Sequence, residues 1–132
     1  MKVIVAGSRT FNDYELLKQK LDYFLKNQKE ITIISGKAKG ADSLGEDYAH
    51  QNHHKLEEYP AMWDLYGKKA GYMRNEEMAK VADGAIIFWD GESKGSKHMI
   101  DLCKKFKLTL LQELCSFMLK HKETQTLDNL VF

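Results

Sequence analysis

A chain of 132 residues, 43% of them hydrophobic, fits one domain with a sizeable core and leaves no room for a second full one. With 20 Lys and Arg against 19 Asp and Glu, the net charge of +1 creates no global field to draw DNA, RNA or anionic lipid, so attraction to phosphate must be local. No run of about 18 apolar residues occurs, no signal-like segment opens the chain, and Cys103 and Cys115 lie outside any CxxC or metal-ligand spacing, which together point to a cytoplasmic protein with reduced thiols, no membrane span and no metal site.

Residues 2–6 form a short β-branched run that ends at Gly7, and residues 13–26 then place Tyr14, Leu17, Leu21, Phe24 and Leu25 at helical spacing. Ile31 to Ile34 is a second apolar run, reading as a central strand buried on both faces, and it breaks at Ser35-Gly36 before a helical stretch around residues 44–50. Residues 54–59 read as a weaker, more polar strand that belongs at an edge. The single proline, Pro60, then opens an aromatic loop containing Trp63 and Tyr66, whose default role is burial and whose sharper alternative is stacking on a base or ribose. A helix over residues 68–82, an apolar strand over 85–89, a helix over 95–106 and a strand over 108–111 complete the alternation. Leu114, Cys115, Met118 and Leu119 suggest a last helix and residues 120–132 a polar tail, so the division is a domain over 1–112 and a C-terminal helix or tail over 113–132.

Strands and helices alternating with short connections call for an α/β fold of three layers: a Rossmann-like, doubly wound, mostly parallel sheet of about five strands covered by helices on both faces. Such sheets bind ligands beyond the carboxyl ends of their strands. Here those ends carry Gly7-Ser8-Arg9-Thr10, then Ser35-Gly36-Lys37-Ala38-Lys39-Gly40-Ala41-Asp42, then Asp90-Gly91-Glu92-Ser93-Lys94-Gly95-Ser96. Glycine lets backbone N–H groups approach an anion, helix starts aim donors at it, and hydroxyls add more. One such loop alone could be a tight turn with a capping serine; three at one rim make a phosphate cradle. Neither GxGxxG nor GxxxxGK(S/T) occurs, which disfavours the usual dinucleotide fingerprint and ATP hydrolysis.

The blocks VIVAGSRTF, IISGKAKGADSLGEDYA, PAMWDLYGKKAGYMRNEEM and ADGAIIFWDGESKGSKHMI, in that order over residues 2–111, resemble the YspA-like branch (the DUF2493 group) of the SLOG superfamily, whose relatives include DprA and the Lonely Guy hydrolases. The resemblance implies a Rossmann-like domain that senses or processes a nucleotide derivative. It places Gly7, Ser8, Arg9, Gly36, Ala38, Gly40, Asp42, Arg74, Asn75, Ser93, Gly95 and Ser96 around the ligand, with Thr10 and Ser35 in the same loops, and makes Arg74 and Asp42 the catalytic candidates if a reaction occurs. Lys37 departs from the glycine more usual after Ser-Gly.

Related hydrolases cleave an N-glycosidic bond with an Arg of an RKxxM-like helix and a Glu four residues after the Gly of GGxGTxxE. Arg74 resembles the first, but the place of the Glu falls on Met99, whose thioether can neither move a proton nor stabilise an oxocarbenium ion. Asp42, Asp64, Asp90 and Glu92 are the carboxylates near the rim; His53, His54 and His98 lack an obvious acidic partner in sequence. The expectation is therefore a homodimeric protein that binds or senses a nucleotide or nucleotide-derived phosphate ligand and has no certain cofactor. Hydrolysis of the N-glycosidic or phosphate bond of such a ligand is the first alternative and DprA-like single-stranded DNA binding the second.

Overall fold

The computed structural model describes residues 1–114; the expected last helix beyond Leu114 and the polar tail lie outside the described residues, as does Cys115. Strands β1 (Lys2–Gly7), β2 (Thr32–Ser35), β3 (Lys55–Glu58), β4 (Gly84–Trp89) and β5 (Thr109–Leu114) form one parallel sheet in the order β3-β2-β1-β4-β5. Helices α1 (Tyr14–Phe24), α2 (Ala41–Gln51), α3 (Trp63–Tyr66), α4 (Lys69–Val81) and α5 (Lys94–Lys105) connect them. The sheet is doubly wound and Rossmann-like, as the alternation requires. Among the described residues no helix is long and apolar enough to cross a membrane.

The unbroken apolar run of β1 follows from cover on both faces. Val3 and Val5 point into a core shared with Leu17 and Leu21 of α1 and Tyr48 and Ala49 of α2, while Ile4 and Ala6 point into a second core with Met78 of α4 and Met99, Ile100 and Cys103 of α5. Each fully buried Val, Ile or Leu contributes about 1.5–3 kcal/mol, so this central strand anchors both layers. Cys103 belongs to that packing: burial pushes its thiol up to about 12, which makes it inert. β3 is the edge strand its polarity implies. Glu57 of β3 pairs with Lys2 at 2.8 Å, and Glu58 pairs with Lys37 at 2.9 Å.

Three local expectations are corrected. Residues 60–66 are not simply a loop: Trp63–Tyr66 makes one helical turn, closed by Gly67 at φ 58°. α2 starts at Ala41 rather than near residue 44, because Gly40, at φ 79°, serves as its N-cap. β5 runs past residue 112 to Leu114, which pairs with Trp89 instead of opening a helix.

From β1 the chain winds outward through β2 to β3, then crosses back to β4 on the other side of β1 and winds outward again to β5, so the direction of winding reverses between β1 and β4. That divergence opens a crevice at the carboxyl ends of β1 and β4, bordered by the loops after β1, β2 and β4.

Candidate functional site

The crevice holds a cavity of about 330 Å³, at the lower end of the range of small-molecule sites. Nine of the residues expected around a ligand line it: Gly7, Arg9, Ala38, Asp42, Arg74, Asn75, Ser93, Gly95 and Ser96. Ser8, Thr10, Ser35, Gly36 and Gly40 do not, and the reason differs from one to the next.

In the loop after β1, Ser8 is a buried strut. Its N–H donates to the Phe88 carbonyl at 2.9 Å, its hydroxyl oxygen accepts from Asp90 N–H at 3.0 Å, and its carbonyl accepts from Phe11 and Ala41 at 3.1 and 3.4 Å. Those bonds lash the loop to β4 and to the start of α2. Thr10 is exposed and outside the cavity. Arg9 is exposed and lines the cavity, and its guanidinium makes no hydrogen bond or ion pair with a described residue.

The loop after β2 is closed from within. Asp42, 5% exposed, turns its Oδ2 back to accept from the N–H of Gly36 at 3.1 Å and of Ala38 at 3.4 Å, two of the donors expected to cradle phosphate. Arg74 packs against the same loop, donating from Nη1 to the Gly36 carbonyl and from Nε to Asn75 Oδ1 at 3.0 Å. A Cβ at Gly36 would stand 2.6 Å from Arg74 Nη1 and 2.9 Å from Asp42 Oδ2, so the residue is glycine to make room for this pair. Gly40 faces the backbone of Ser8 and Arg9, where a Cβ would run into both carbonyl oxygens. Ser35 donates to Glu46 at 2.7 Å, and Lys37, at φ 61°, directs its ammonium to Glu46 and Glu58 at 3.2 and 2.9 Å, away from the cavity.

Burial pushes the Asp42 carboxyl up to about 6, against the pull of Arg74 and of the Ala38 and Gly36 N–H groups. Its second oxygen, Oδ1, has no hydrogen-bond partner among the described residues. Arg74 is held below its ordinary value by burial, with Asp42 opposing and Arg9 adding to the effect, yet a guanidinium stays charged at neutral pH.

The loop after β4 also uses a carboxylate, at its outer side. Asp90 Oδ1 accepts from Glu92 and Ser93 N–H, both at 2.8 Å; burial raises this carboxyl, but those donors and the Ser8 hydroxyl outweigh it and leave it below the usual value. Ser93 caps α5 by accepting from Ser96 N–H at 3.3 Å. The N–H groups of Lys94 and Gly95 meet no acceptor among the described residues, and a Cβ at Gly95 would meet nothing within 4 Å. The start of this helix is thus open where that of α2 is not.

α4 supplies the remaining wall. Asn75, buried, donates from Nδ2 to the Gly95 carbonyl at 3.3 Å and lies 3.3 Å from His98 Nδ1, tying α4 to the start of α5. Tyr72 meets the His98 ring edge-on, with centroids 4.6 Å apart. Met78 and Met99 form an apolar floor, each about 1% exposed, so the position where related hydrolases carry Glu is packed into the core here.

Lys68, Gly71 and Tyr72 also line the cavity and were not among the sequence candidates. The signal was present as spacing, since 68, 71, 72, 75 and 78 share one helix face; its mixture of Lys, Gly, Tyr, Asn and Met defeats a search for apolar stripes. Trp63 is 49% and Tyr66 50% exposed, against their default role of burial. Trp63 reaches the cavity across Gly71, where a Cβ would stand 3.1 Å from the indole. Of the other carboxylates, Asp64 and Glu92 are exposed and outside the cavity, and Glu76 pairs with Lys80 at 3.3 Å rather than with Arg74. Among the described residues no group of three or more His, Cys, Asp or Glu could hold a metal ion.

Comparison with known proteins gives three findings. Residues 1–66 match the family described as YspA, cpYpsA-related SLOG. The chain is 31% identical over 111 residues to the Gene 61 protein of Mycobacterium phage D29, covering 79% of this chain and 89% of that protein. Its fold is similar to that of DNA processing protein A (DprA) from Streptococcus pneumoniae, with a TM-score of 0.70 at 22% identity over 89% of this chain, and to DprA from Helicobacter pylori, with a TM-score of 0.64 at 21% identity over 93%. The chain spans 51% of the first DprA structure and 73% of the second, whose mode of binding single-stranded DNA has been described.

Proposed function

The chain belongs to the YspA, cpYpsA-related SLOG family, and we propose that it binds a nucleotide or nucleotide-derived phosphate ligand in the cavity at the carboxyl ends of β1 and β4. The observation that carries this reading is the pairing, in one cavity, of the Arg9 guanidinium, uncommitted among the described residues, with Gly95 at the start of α5, where the N–H groups of Gly95 and its neighbour Lys94 meet no acceptor among those residues. A helix start and a guanidinium fork are complementary to phosphate oxygens. Trp63 and Tyr72, both partly exposed, offer flat surfaces for a base across the same cavity. Arg74 contributes charge, but two of its donors serve the protein itself.

The test is mass spectrometry of small molecules released by denaturing the purified protein, followed by calorimetry with the compound found. Arg9→Ala should weaken binding about tenfold to a hundredfold, the worth of a charge-assisted hydrogen bond. Because Arg9 has no partner among the described residues, stability should move by less than about 0.5 kcal/mol. Unchanged affinity in Arg9→Ala would sink the phosphate assignment.

A second reading, hydrolysis of the ligand's N-glycosidic bond, is favoured by one observation: a buried carboxyl that titrates near 6 lines the cavity. Incubation with AMP and chromatography for free base separates the two; with Met99 in the floor, no turnover at ordinary enzyme rates is expected. Single-stranded DNA ranks third, since the cavity suits one nucleotide. The reading retains the cytoplasmic location and the homodimer, and sedimentation of the purified chain checks the latter.

A further inference from the structure

We propose that Asp42 selects the sugar of the ligand: its free carboxyl oxygen accepts a hydroxyl of an intact ribose, so that the cavity takes ribonucleotides in preference to their deoxy counterparts. This rests on the nucleotide reading above and deepens it.

The argument begins with the two oxygens of one side chain. Oδ2 is held by the Gly36 and Ala38 N–H groups, which fixes the carboxyl in place, while Oδ1 has no partner among the described residues although Asp42 is only 5% exposed and lines the cavity. A buried acceptor left empty is costly, and its natural complement is a donor brought by the ligand.

The surroundings narrow what that donor is. A cationic group would have to share the cavity with Arg9, Lys68 and Arg74, all lining it. An anionic group would be repelled by Asp42 itself and drawn to the Arg9 and α5 end. A neutral donor remains, and a nucleotide has two kinds, the N–H groups of the base and the ribose hydroxyls; with the base assigned to the Trp63 and Tyr72 wall, the hydroxyls are the ones left for Asp42. The neighbours of the carboxyl agree: Arg74 stands beside both Gly36 with Asp42 and Gly71 with Trp63, and Gly40, two residues before Asp42, lies against the Arg9 backbone, so the carboxyl adjoins both the aromatic wall and the Arg9 loop.

A site built around a hydrogen bond to a hydroxyl rejects the analogue lacking it, because its own acceptor is then stranded. The experiment is calorimetric titration of the full chain with ribonucleoside 5′-monophosphates of the common bases and with their 2′-deoxy and 3′-deoxy counterparts, at pH about 7.5, where Asp42 is ionised. The wild type should bind at least one deoxy form about tenfold to a hundredfold more weakly than the parent ribonucleotide. In Asp42→Asn that preference should fall to about twofold or less, since an amide that keeps its oxygen on Gly36 turns a donor toward the sugar. Equal binding of ribo and deoxy forms by the wild type overturns this inference and leaves the nucleotide reading standing, as does a preference that persists in Asp42→Asn. Binding of no monophosphate overturns both. The wild-type series decides the matter alone if Asp42→Asn does not fold.

Discussion

The loops after β2 and β4 have nearly the same composition, glycine, serine, lysine and one aspartate each, yet they do opposite things. In the first, Asp42 reaches inward, takes the loop's N–H groups and is buried with Arg74. In the second, Asp90 organises the turn from the outer side and leaves the first N–H groups of α5 without acceptors among the described residues. In one loop Gly36 and Gly40 lie where a Cβ would meet other backbone and side chains; in the other Gly91 serves a turn at φ 86°, and Gly95 faces open space. A glycine-rich loop is therefore an anion site only when the protein's own carboxylates have not filled it.

The sharpest way to break this contrast is Gly40→Ala. Its φ of 79° disfavours any side chain, and the new Cβ would run into the carbonyl oxygens of Ser8 and Arg9. Urea unfolding should show a loss of about 3 kcal/mol or more. A loss under about 1 kcal/mol would mean that the two loops do not pack as described.

Next in size is the effect of pH. The folded Asp42 carboxyl titrates near 6, above its ordinary 3.8, so its contribution to stability is greatest in acid and declines as pH rises between those values. Asp42→Asn lacks that decline, and its stability relative to wild type should increase by up to about 3 kcal/mol from pH about 3.5 to about 7.5. Asp90, shifted downward, has the opposite sign: its contribution is present above its ordinary value and lost as pH falls through its lowered one. Asp90→Asn should therefore lose ground to wild type as pH rises out of the acid range. Parallel profiles for the two variants would erase the distinction between the loops.

The smallest effect is expected from Gly95→Ala. Nothing lies within 4 Å of the added methyl and the position is in the first turn of a helix, so stability should rise by a few tenths to about 1 kcal/mol. A destabilisation comparable to that of Gly40→Ala would contradict the open character of this helix start.

How far the sequence could be read follows the same line. The sheet was legible because β1, β2 and β4 are continuous apolar runs that only cover on both faces can explain, and the polarity of residues 55–58 placed β3 at an edge. The location of the cavity was legible from the loops. Which donors stay open was not, because that depends on the direction in which Asp42 and Asp90 turn, and in sequence both are ordinary acidic residues in glycine-rich loops. Trp63 misleads for a related reason: an aromatic residue after Pro60 is buried by default, and only the one-turn helix that presents it to Gly71 keeps it at the rim.

The charged edge of the sheet has a consequence for crowding. β3 presents Lys55, Glu57 and Glu58 along its length, and the two glutamates are already engaged by Lys2 and Lys37. A strand from another molecule that tried to extend the sheet there would have to set its own side chains beside these charges and strip water from them. At high concentration this border should resist templated aggregation, and replacing Glu57 and Glu58 with valine would turn it into a growth point for intermolecular β-structure.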